Sequence, residues 1–95
     1  MITFTGPLQL WRWNEGSAHF MTVPEELTGA LRLQAMEFPR GFRSVRVECR
    51  LHDITWRTSV FPMREGGYFL PVKIDIVRKA GIAEGDEVRV ELTLL

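Results

Sequence analysis

Apolar and polar residues alternate with a period of two along several parts of the chain, the signature of half-buried strands. The pattern is clearest from Arg43 to Leu51, where Val45, Val47, Cys49 and Leu51 share one face and Arg46, Glu48 and Arg50 share the other. It returns from Glu87 to Leu94, with Val88, Val90, Leu92 and Leu94 in phase. Ile54 to Phe61 reads as a strand returning from a hairpin tip at His52-Asp53, and Ala18 to Val23 and Tyr68 to Leu70 as two more. Ile2 to Trp13 reads as a single strand bent at Gly6-Pro7, where a bend spares the donor that proline lacks. In that strand Leu8 and Leu10 occupy one face while Trp11 and Trp13 occupy the other, so both faces are apolar.

Two short helices punctuate the strands. Pro24-Glu25-Glu26 suits a helix start, since proline is tolerated in the first turn and carboxylates complement the positive end of the dipole. Leu27, Ala30 and Leu31 would form its buried stripe, and Gly29 argues for about two turns. Residues 34–41 then read as a connection containing Pro39 and Gly41. Pro71 is expected to open the second helix, with Ile74 and Val77 buried. Gly81 falls where a left-handed residue closes a helix, Ile82 supplies the apolar contact that follows, and Gly85-Asp86 makes a tight turn.

The tetrapeptide Val45-Arg46-Val47-Glu48 recurs as Val88-Arg89-Val90-Glu91. A proline-led helix precedes each copy, beginning 21 residues upstream at Pro24 in one case and 17 at Pro71 in the other. The order turn, strand, proline, helix, strand is therefore used twice, with a four-residue insertion in the first copy. We expect one mainly β domain over residues 1–95, built of half-units at about 1–51 and 52–95. Neither three-stranded half hides its apolar face alone, which predicts a closed six-stranded barrel. So narrow a barrel leaves a lumen filled by side chains, and any binding moves to the surface.

The runs "TWRTSVFP", "GGYFLPVK" and "VRKAGIAEGDEVRVEL", together with "GSAHFMTVPEEL" nearer the start, resemble the bacterial domain of unknown function numbered nineteen-oh-five over nearly the whole chain. The resemblance implies a double-split β-barrel made by duplication, similar to the swapped-hairpin barrels of AbrB-like regulators and MazE-like antitoxins. "LPVKIDIVRKAGIAEGDEVRVEL" is similar to one half-unit of those barrels. No activity, and no catalytic or binding residue, comes with the resemblance.

Composition narrows the function classes. Twelve basic residues balance twelve acidic ones, so no overall field draws the chain to nucleic acid or to an anionic membrane. Cys49 is the sole cysteine, which excludes an internal disulfide and a thiolate zinc site. No stretch approaches a membrane span, and a cytoplasmic location is expected. Two distant histidines, the acidic run Glu84 to Glu87 and the pair Gly66-Gly67 lack the spacing of metal or phosphate motifs, so no metal or cofactor is expected. His52-Asp53 at a hairpin tip reads as a turn, and Cys49 on the inward parity as a small hydrophobe. No catalytic residue is assigned.

Two groups of surface residues remain. Six arginines between Arg40 and Arg64 exceed the local acids Glu48 and Asp53 by four, which makes Arg40, Arg43, Arg46 and Arg50 candidates for nucleic-acid contact. Between Glu84 and Glu91, four acids exceed Arg89 by three, so cross-strand pairing of these segments is the competing explanation. Trp11, Trp13 and Trp56 read first as core or barrel-end plugs. An exposed aromatic patch beside Arg12 or Arg57 would nevertheless suit a planar molecule or a partner protein, which makes Trp11, Trp13, Trp56 and Arg57 candidates for ligand binding. The expected role is a non-enzymatic barrel acting by surface contact with a protein or small ligand. An AbrB-like nucleic-acid-binding regulator is the alternative. As a fused pseudo-dimer it should exist as a monomer or weak homodimer.

Overall fold

The computed structural model describes residues 2–95, about half of them in strands. The strands are β1 (Ile2–Pro7), β2 (Gln9–Trp13), β3 (Gly16–Thr22), β4 (Val45–Leu51), β5 (Ile54–Pro62), β6 (Tyr68–Val72) and β7 (Glu87–Leu94), with helices α1 (Thr28–Glu37) and α2 (Ile74–Ala80). They form one curled antiparallel sheet in the order β1-β7-β4-β5-β6-β3-β2. Seven strands in a curled sheet with β1 and β2 at its two edges replace the closed barrel of six expected. The predicted bent strand divides at Leu8, and its two pieces take opposite ends of the sheet. β1 pairs with β7 and β2 pairs with β3.

Leu8 makes this division possible. Its N–H donates to the Asp86 carbonyl at 2.9 Å and its carbonyl accepts from Gly85 N–H at 2.8 Å, so the corner leaves no backbone group unpaired. Gly85 holds φ at 92°, a conformation that suits glycine, in the turn that precedes β7. The Leu8 side chain is 1% exposed and joins the core.

The concave side of the sheet is filled. Val47, Cys49, Val60, Leu70 and Val90 are fully excluded from solvent, and one contiguous cluster draws buried residues from β1, β3, β4, β5, β6 and β7 and from both helices. The expected inward parity of β4 holds throughout, as does that of Val88, Val90 and Leu92 in β7, while Leu94 is half-buried. Cys49 lies among these hydrophobes as a free thiol, and burial, reinforced by the Glu48 carboxylate, pushes its pKa up from 9.0 to about 12.

The helices depart from expectation. A single 3-10 turn at Glu25–Leu27 leads into α1, which runs ten residues and absorbs half of the expected connection. Gly29 costs only about 1 kcal/mol, and Gln34, Ala35, Met36 and Glu37 are good helix formers, so the helix runs on until Pro39 disfavours a helical Phe38. Leu31 is buried, Leu27 half-buried and Ala30 exposed. Pro71 opens no helix. It belongs to β6 opposite Phe20, where the β5 side of β6 has already lost its partner and a missing N–H costs nothing. α2 starts three residues later; Val77 is buried as expected, but Ile76 takes the buried place expected of Ile74, which is exposed. Its end follows expectation: Gly81 takes φ 67° and Ile82 N–H donates to the Val77 carbonyl.

Candidate functional site

Strand alternation gives the convex side of the sheet its own residue set, and the two parts of that side differ in chemistry. Over β2, β3, β6 and β5 it is aromatic. The Trp11 and Phe20 rings stack with centroids 4.0 Å apart, Trp11 meets Phe69 edge-on at 4.9 Å, and Phe69 stacks with Phe61 at 5.7 Å. The register explains the stripe. Gln9 faces Phe20, Thr22 faces Phe69 and Phe61 faces Phe69, so the three phenylalanines and Trp11 share the outward parity of four adjacent strands. Diagonal neighbours on one sheet face lie within reach of aromatic rings. Phe20 is buried by this cover although nothing of the core lies on its side, while Trp11 is 45% and Trp13 56% exposed.

Trp13 continues the same face at the end of β2. Its indole lies against the backbone of its cross-strand partner Gly16, where an added Cβ would sit 3.4 Å from Cζ2. On the opposite parity Arg12 forms a 2.7 Å ion pair with Glu84, tying β2 to the turn ahead of β7.

The expected grouping of Trp56 and Arg57 with Trp11 and Trp13 does not form. Trp56 is opposite Cys49 on the inward parity, packs against the core, and has a buried indole N–H without an acceptor. Arg57 faces outward, but its Nε donates to Glu48 Oε1 at 3.2 Å across the β4–β5 pair. Adjacent numbers in a strand put the two side chains on opposite sides of the sheet.

The four arginines of Arg40 to Arg50 do not converge either. Arg40 and Arg43 belong to the loop between α1 and β4, whereas Arg46 and Arg50 stand on the convex face of β4. There Arg46 Nη1 donates to Ser59 Oγ at 3.4 Å, Arg50 Nε donates to the His52 carbonyl at 3.1 Å, and Arg50 lies in register with Glu91. Glu48, Arg57, Arg89 and Glu91 complete a mosaic of both signs over β4, β5 and β7, so the local positive excess is largely matched by neighbouring strands.

Phe20, Phe61 and Phe69 were not singled out by sequence reasoning. Their signal is nevertheless present in His19-Phe20-Met21, Val60-Phe61-Pro62 and Tyr68-Phe69-Leu70, where adjacent apolar residues must lie on opposite sides of a strand. Among the described residues no three His, Cys, Asp or Glu side chains come together as a metal site requires, and no helix is long and apolar enough to cross a membrane. A family model, Domain of unknown function (DUF1905), matches residues 4–92. No curated protein matches the chain.

Proposed function

The chain belongs to the DUF1905 family, a domain of unknown function, and from that premise we propose that it is a non-enzymatic module acting by surface contact. The observation that carries the proposal is the stacked aromatic stripe on the convex side of the sheet. Stacked rings offer a rigid apolar surface whose side-chain entropy is already spent, the property that concentrates binding energy in aromatic residues. Trp11, Phe20, Phe69 and Phe61 bring no nucleophile, acid or base to that surface, which favours recognition over chemistry. The partner is a protein or a small ligand with a planar apolar face.

The proposal extends to the origin of the fold. β3 and β6, which lead into the two helical segments, pair antiparallel with each other, and so do β4 and β7, which follow them. A two-fold relation between the half-units would produce both pairings, supporting a fused double-split barrel that is complete as a monomer. An AbrB-like nucleic-acid role draws less support, because Arg40 and Arg43 are on one surface and Arg46 and Arg50 on another.

Benzoylphenylalanine placed at Trp11 in the source cell tests the contact surface, with the same photoprobe at Thr93 on the charged face as control. A discrete adduct at position 11, absent at 93 and lost when Phe69→Ser removes the ring that meets position 11 edge-on, is the expected result. Equal adducts at both positions would remove the stripe from consideration.

A further inference from the structure

A second surface feature lies away from the stripe, where α1 passes over the loop between β5 and β6. A cleft of about 520 Å³ opens there, and three arginines from three different elements line it: Arg32 from α1, Arg43 from the loop ahead of β4, and Arg64 from the β5–β6 loop. Met36, Met63 and Tyr68 supply its apolar wall. The ion pairs of the described residues are Arg12–Glu84 and Arg57–Glu48, so none of these three guanidinium groups is neutralised by one. Three like charges facing one concavity repel one another, and they are retained at least cost where an anion can enter between them.

The surrounding backbone fits close approach by a ligand. Gly66, in the wall, has φ 105° and open space where a side chain would stand. Phe42 and Arg43 both occupy left-handed conformations, at φ 59° and 57°, and Phe42 is 88% exposed beside the cleft residue Arg43. Two consecutive non-glycine residues in that region store backbone strain. Ser44, whose Oγ donates to the Gly41 carbonyl at 2.8 Å, holds the turn that imposes it. A neighbouring cleft of about 530 Å³ shares Arg32, Met63 and Gly66 but carries Glu25 and Glu65, so the positive character belongs to the Arg43–Arg64 end.

We infer that this end of the cleft is a binding site for a small organic anion. The guanidinium groups take a carboxylate or phosphate in charge-assisted hydrogen bonds, while Met36, Met63 and Tyr68 receive an apolar or aromatic body. The site is distinct from the aromatic stripe: it takes Pro62 and Tyr68, on the opposite parity of β5 and β6 from Phe61 and Phe69, and either can fail without the other.

Titration of the labelled chain with phenyl phosphate and with benzoate, followed by amide chemical shifts, tests the inference. Saturable shifts centred on Arg32, Ala35, Arg43 and residues 62–68 are expected, with inorganic phosphate weaker than phenyl phosphate because it leaves the apolar wall unused. Arg43→Gln and Arg64→Gln should each weaken binding by about tenfold, in keeping with loss of one charge-assisted contact. Trp11→Ala should leave it unchanged. The relative strength of the two probes tells phosphate from carboxylate. The assignment is overturned if neither probe shifts these residues, if the arginine variants bind as well as the parent, or if a DNA duplex of random sequence displaces phenyl phosphate from the same residues at lower concentration.

Discussion

Two parts of one convex surface obey the same alternation rule and end with opposite chemistry. Over β4, β5 and β7 the outward positions are charged or hydroxylated, with Arg57 and Glu48 paired across neighbouring strands and Arg46 beside Ser59. Over β2, β3 and β6, and at the end of β5, they are Trp11, Phe20, Phe69 and Phe61. Inward residues of both parts, Val47, Cys49 and Val90 in one and Met21, Leu70 and Val72 in the other, belong to one core cluster. Burial of the inner side therefore does not dictate what the outer side carries. Solubility alone would favour the mosaic everywhere. The stripe departs from that default, and this departure is what supports the proposal of a contact surface.

The largest expected effect concerns the inner side common to both parts. Cys49 should react with a thiol reagent about a thousandfold more slowly in the native chain than in urea, because reaction waits on opening of the structure. Fast native labelling would mean that the shared interior is wrongly assigned. Its raised pKa also fixes a sign. The folded state holds the proton more tightly than the unfolded state, so this contribution to stability is complete below pH 9 and is lost as pH rises toward 12. Alkaline unfolding of the parent should be blunted in Cys49→Ala, as measured by circular dichroism.

Among side-chain truncations, Phe20→Ala should destabilise by about 3 kcal/mol in urea unfolding, since this outward ring is as buried as a core residue. Val90→Ala on the inner side should cost about 1–3 kcal/mol, somewhat less. Trp11→Ala should cost about 1 kcal/mol, from the stacked contact and partly exposed area. A double-mutant cycle on Glu48 and Arg57 should return a coupling of only about 0.2–1 kcal/mol, falling with salt, because both side chains are substantially exposed. Phe20→Ala as mild as Arg46→Ala would erase the distinction between the two surfaces.

The strands were largely legible because period-two alternation is a local property, and β4 and β7 display it without interruption. The His52-Asp53 turn, Gly81 and Gly85 were legible for the same reason: each is a local conformational demand. What escaped was non-local. The parity of the Ile2 to Trp13 segment is correct, yet nothing in it says that the two halves choose different partners, since that choice depends on the turn at Gly85-Asp86 far along the chain. Pro71 misled because it begins a helix in isolation but is equally acceptable in a strand whose neighbour has ended. The aromatic stripe was half visible: Trp11 and Trp13 announced it, but the Phe rings that complete it come from three other strands. The arginine cleft depends on Arg32, Arg43 and Arg64, which only the folded chain brings together.

The division at Leu8 also bears on how such a domain matures during synthesis. β1 emerges from the ribosome before the other six strands of this sheet, yet its partner β7 is the last of the seven made, so residues 2–7 must wait for Glu87 and its successors before they acquire a ladder. β2 is under no such delay, because β3 follows it after a two-residue turn. Nascent chains stalled just short of residue 87 should therefore protect Trp11 from proteolysis sooner than Phe4, and the final rib of the sheet should close only once Glu87–Leu94 has left the ribosome.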